Sequence, residues 1–66
     1  MSKARELRQR RGLSIVAMSH ELKINPTILS QAERRQLVPS KRVREAVSGY
    51  FKVPEARLFG EDGLAI

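Results

Sequence analysis

A chain of 66 residues without a cysteine and with one histidine, His20, has few ways to hold a fold together. There can be no disulfide and no thiolate ligand, and one imidazole cannot build a zinc site, so neither usual staple of a small core is present. This length lies near the lower limit for a self-supporting hydrophobic core. Stability has to come from tight packing of short elements or from association with a second copy. The chain reads as a single domain.

The punctuation of the sequence divides it into five short helices. Ser2 is a candidate cap for a first helix reaching about Arg11, with Ala4 and Leu7 as its apolar face and Gly12 at a left-handed stop. Ser14 caps a second, in which Met18 and Leu22 recur at i and i+4 while His20, Glu21 and Lys23 stay polar; Leu13 can staple its start. A third opens at Asn25-Pro26-Thr27, where Asn25 can cap the orphan amides and Pro26 suits the first helical position. It runs to about Glu33, with Leu29 and Ala32 inward and Thr27, Ile28, Ser30 and Gln31 outward. Ser40 caps a fourth, whose Val43, Ala46, Val47, Tyr50 and Phe51 follow the strongest helical period in the chain. Gly49 weakens that helix by about 1 kcal/mol relative to alanine. Val53 and Pro54 begin a fifth, carrying Leu58 and Phe59, and Gly60 is expected to end it. The tail, GEDGLAI, reads as loose, and no strand pattern or repeat appears. The expected fold class is all-α, a compact five-helix domain.

The net charge of +6 is distributed unevenly. Residues 1–11 carry five basic side chains and one acidic, and residues 34–45 again carry a net +4, while the segments 12–33 and 46–66 are each close to neutral. Two basic blocks therefore flank the second and third helices. That arrangement suits a protein whose edges grip phosphates while its centre meets base edges, because phosphate charge sets affinity and groove contacts set specificity. No stretch approaches the ~20 apolar residues that span a bilayer, and the N-terminus lacks the apolar core of a signal peptide. A soluble, cytoplasmic protein without membrane contact is expected. One histidine, scattered carboxylates and serines at helix caps form no nucleophile-and-base constellation. There is also no Gly-rich phosphate loop or metal-ligand spacing, so neither enzyme activity nor a cofactor, metal or small-molecule ligand is expected.

In order along residues 4–60, Leu7-Arg8, Gly12-Leu13-Ser14, Ile24, Ser30 with Glu33, Pro39-Ser40, and Val53 followed by Leu58-Phe59 resemble the Cro and phage-repressor type of helix-turn-helix regulator, the XRE-like family. The resemblance implies a five-helix, repressor-like DNA-binding domain over residues 1–60. Helices 2 and 3 would form the helix-turn-helix, with helix 3 in the major groove and helix 2 across the backbone. It implies a bacterial or phage-encoded, nucleoid-associated protein, and a partly buried ion pair between Arg8 and Glu33. Carried over residue by residue, it places base contacts at Thr27 and Gln31, apolar contacts to thymine methyls at Pro26 and Ile28, and a base or phosphate contact at Ser30. Phosphate contacts fall on Ser14 and Asn25 at helix starts and on Arg10, Arg34, Arg35, Lys41 and Arg42. Useful specificity calls for two copies on half-sites roughly 34 Å apart. The homodimer surface is expected in the C-terminal region, with Arg57, Leu58, Leu64 and Ile66 as candidates and residues 61–66 either flexible or part of that contact.

This chain departs from the family pattern at three places. Ile15 stands where the family usually has a phosphate-clamping glutamine, followed by Val16 and Ala17 where charges are common. Lys23 replaces the usual glycine of the turn and requires either a left-handed backbone or a different turn. Ser19 replaces a small alanine, a mild change if its hydroxyl bonds back to the helix. The reading is a sequence-specific transcriptional regulator, a repressor of a two-fold operator in double-stranded DNA. The alternative is a helix-turn-helix used for protein contact, such as an antitoxin or antirepressor meeting its partner through Ile15, Val16 and Ile28. A nonspecific nucleoid-type binder is a third reading, marked by steep salt dependence without sequence preference.

Overall fold

A computed structural model describes residues 2–66 of the protein. Five helices follow one another: α1 (Lys3–Arg10), α2 (Ile15–Leu22), α3 (Pro26–Glu33), α4 (Lys41–Phe51) and α5 (Glu55–Leu58). Four of them begin on a capping side chain. The hydroxyls of Ser2, Ser14 and Ser40 accept the amides of Arg5, Ala17 and Val43 at 3.2, 3.0 and 3.3 Å. Asn25 Oδ1 accepts the amide of Thr27 at 2.8 Å, and Pro26 occupies the first helical position, where its missing N–H leaves nothing unsatisfied. Each such cap contributes about 1 kcal/mol.

The same four helices also end alike. A left-handed residue follows each: Gly12 (φ 66°), Lys23 (φ 57°), Arg35 (φ 60°) and Lys52 (φ 56°). The next amide then reaches back over the last turn, from Leu13 to Arg8 O, Ile24 to Ser19 O, Gln36 to Gln31 O and Val53 to Ser48 O, at 2.9–3.2 Å. This closure satisfies carbonyls that the helix end would otherwise orphan. Only the first uses glycine; the other three hold an L-residue in a region that costs it about 1 kcal/mol or more. The turn between α2 and α3 is therefore made by Lys23 in a left-handed conformation followed directly by Ile24.

Helix amphipathicity then fixes what is buried. Ala4, Met18 and Leu29 come from α1, α2 and α3, and Val43, Val47 and Phe51 recur along α4. With Leu58, Phe59 and Ala65 they make one core, against which Leu7, Ile15, Leu22, Ile24, Tyr50 and Val53 pack from its rim. The result is a compact, all-α five-helix globule, and there is no sheet among the described residues. Its radius of gyration, 10.2 Å, is close to the ~11 Å of a folded domain of this length. Among the described residues no helix is long and apolar enough to cross a membrane.

Two expectations about the C-terminus need correcting. Gly60 does not end α5 in a left-handed conformation; Phe59 is already extended and forms an isolated antiparallel bridge with Ala65. The tail is not loose. Gly60 N–H donates to Leu64 O and Ile66 N–H to Leu58 O, both at 2.9 Å, while Lys3 N–H, an orphan donor of α1, donates to Ile66 O. Ala65 is buried in the core, so residues 61–66 belong to the folded unit. Arg44 braces the same corner, with Nε 2.7 Å from Glu55 Oε1 and Nη1 donating to Pro39 O at 2.7 Å.

Candidate nucleic-acid interface

The helical period divides α3 into two faces. Leu29, Ala32 and Glu33 are buried. Asn25, Pro26, Thr27 and Ile28 are exposed, and Ser30 and Gln31 are half-buried. Thr27 and Gln31, four residues apart, lie one above the other on the outer face, with Ile28 beside them. The inner face packs most closely against α2, to which α3 is joined through the left-handed Lys23 and Ile24.

The orientation of α3 is locked from behind by an arginine of α1. Arg8 Nε donates to Glu33 Oε2 at 2.8 Å and Nη2 to Oε1 at 3.1 Å, a bidentate pair, while Nη1 donates to Leu13 O at 2.7 Å. The two side chains are only 11% and 8% exposed. One guanidinium thus joins α1, the loop before α2 and the end of α3. Forked geometry of this kind is where arginine outperforms lysine.

The residues that the sequence marks as expected phosphate contacts keep donors to offer. Ser14 uses its oxygen as an acceptor in capping α2 and retains its O–H; Asn25 uses Oδ1 and retains its NH₂. Arg10, Arg34, Arg35, Lys41 and Arg42 are all exposed. Lys41 lies 3.9 Å from Glu45 in a pair so open to solvent that it contributes at most about 1 kcal/mol. Arg34 and Arg35 border a shared groove with Arg5, and Arg34 borders a second with Ser30. Arg10, Lys41 and Arg42 stand outside both grooves.

Two further expectations differ from the structure. Leu58 has no exposed surface and cannot be a dimer contact, because it is a central core side chain between α1 and α4; Arg57, Leu64 and Ile66 keep some exposure. The apolar strip at the start of α2 also divides. Ile15 turns against the core, whereas Val16 is 56% exposed. Ser19 is buried with its hydroxyl donating to Val16 O at 2.7 Å, so its polarity is satisfied within α2.

Three arginines escaped the sequence reading. Arg11 lies over the rings of Tyr50 and Phe51, 5.3 and 4.9 Å from their centroids, and fastens the end of α1 to that of α4. Arg44 holds α5 as described above. Arg5 precedes Arg8 by three residues and so shares its face of α1, a spacing that could have marked it. Among the described residues no three His, Asp or Glu side chains group closely enough to hold a metal ion.

Comparison with protein-family models, with curated proteins and with solved structures returns no match.

Proposed function

We propose that the protein is a sequence-specific DNA-binding regulator that lays α3 in the major groove with α2 across the backbone, as a helix-turn-helix without catalytic activity. The observation that carries this reading is the division of α3. One face is buried and pinned through Glu33, while the other presents Thr27, Ile28 and Gln31 from a helix start whose caps still offer donors. A Gln31 amide can bond an adenine edge through N6 and N7, the Thr27 hydroxyl suits several base edges, and Pro26 and Ile28 suit thymine methyl groups. Ser14, Asn25 and the basic residues around Arg34 supply backbone contacts that fix the register. A single module offers few base contacts, so the functional species is a homodimer on a two-fold operator, joined through Arg57, Leu64 and Ile66. It represses by occupying that operator.

The alternative of a protein-contact module, an antitoxin or antirepressor, is left with Val16 and Ile28 as its exposed apolar anchors, since Ile15 is half-buried against the rim of the core. The two readings separate on Thr27→Ala combined with Gln31→Ala. Both side chains lie outside the core, so the double variant should melt like the parent. Its affinity for a selected operator should fall by at least roughly 30-fold, since two base contacts are lost and each contributes about 1–3 kcal/mol of discrimination. Unchanged operator affinity in the folded double variant refutes the placement of α3.

A further inference from the structure

Where α3 ends against the start of α1, two grooves meet. One, of about 250 Å³, is lined by Ser2, Arg5, Glu33, Arg34 and Arg35. The other, of about 270 Å³, is lined by Arg5, Arg8, Ile15, Ser30, Glu33 and Arg34. Arg5, Glu33 and Arg34 border both, so the two form one trough that leads from the middle of α3 past its C-terminal end.

The trough is strongly positive for a specific reason. Glu33 is the only carboxylate among the described residues that line it, and both of its oxygens are taken by Arg8. Arg5, Arg34 and Arg35 have no carboxylate partner among the described residues. Arg34 Nε makes only a long bond to Ser30 O, at 3.4 Å. Arg5 is half-buried, and its Nε is enclosed with no acceptor among the described residues. A guanidinium cannot shed its proton, so an oxyanion in the trough would meet the exposed N–H donors of Arg34 and Arg35 together with the accessible end of Arg5. Forked N–H donors match phosphate oxygens in particular.

We propose that this trough is a phosphate clamp in which Arg5, Arg34 and Arg35 grip the sugar-phosphate backbone of the duplex that α3 reads, with Arg5 as an additional backbone contact. The proposal rests on the DNA-binding reading, because Ser30 and Arg34 make the trough continuous with the outer face of α3. A free phosphorylated ligand would present the same oxyanion, and the test distinguishes the two.

Binding of a random-sequence duplex is measured between about 50 and 200 mM salt for the parent, Arg5→Gln and Arg35→Gly. Arg35→Gly is the more secure variant, since it removes the charge and places glycine at a left-handed position that glycine prefers. Each variant should lower the magnitude of the salt slope by about one. The base preference tested through Thr27 and Gln31 should be unaltered. Slopes unchanged in both folded variants overturn the clamp even if α3 proves to read sequence. Lowered slopes with no sequence preference in the parent support the clamp and refute the reading of α3 instead. In a parallel arm, melting is followed with added tripolyphosphate. A rise in the parent that both variants lose, together with no duplex binding, overturns the DNA assignment and makes a free phosphorylated ligand the occupant.

Discussion

Replacing Arg8 by alanine should be the most damaging change of a polar side chain in this protein. The guanidinium makes three bonds of 2.7–3.1 Å to two partners, and Glu33 is 8% exposed. Arg8→Ala leaves a buried carboxylate and the Leu13 carbonyl without their donors. Removing one member of such a pair costs about 3–5 kcal/mol, mostly as the penalty of the stranded charge. A domain of 66 residues has only about 3–10 kcal/mol of total stability at ordinary per-residue values. The melting temperature should fall by at least about 12 °C, at about 4–8 °C per kcal/mol. Thermal denaturation followed by far-ultraviolet circular dichroism measures this directly. The double variant Arg8→Met with Glu33→Leu should recover much of the loss, because it leaves no unpaired charge. A loss under about 1 kcal/mol for Arg8→Ala would mean that the pair behaves as a solvent-exposed one, and the account of how α3 is held would be wrong.

Further predictions concern the backbone. Gly49→Ala should stabilise by up to about 1 kcal/mol, since a Cβ there meets nothing within 4 Å and α4 gains a better helix former; chemical denaturation gives the value. Gly63→Ala should destabilise by about 1–3 kcal/mol in the same assay, because its φ is +84° and a Cβ would stand 2.7 Å from Val38 Cγ1. Lys23→Gly should raise the melting temperature slightly by relieving a left-handed lysine; a fall would mean that the lysine side chain contributes more than its backbone costs.

Much of this fold is legible in the sequence because its helix starts are written in side chains. Ser2, Ser14, Asn25 and Ser40 each cap the helix that their spacing marks, and the period of Val43, Val47 and Phe51 places α4 on the core. Helix ends are less legible. Three of the four left-handed closures use Lys23, Arg35 and Lys52, and nothing in a lysine or arginine announces that conformation. The C-terminal segment was hidden for a related reason. It is held largely by main-chain bonds among Leu58, Gly60, Leu64, Ile66 and Lys3, which impose no hydrophobic period. For the candidate site, the outer face of α3 follows from periodicity alone. The grouping of Arg5 with Arg34 and Arg35 depends on how the end of α3 meets α1, which local sequence does not encode.

The central claim, that α3 reads a base sequence, is tested most directly by selection from a random duplex library at physiological salt, with the oligomeric state recorded at the same protein concentration. The account predicts an enriched inverted repeat with half-sites roughly one helical turn apart, bound by a dimer, and loss of that enrichment in Thr27→Ala with Gln31→Ala. Tight binding without enrichment, or no binding at all, would contradict it.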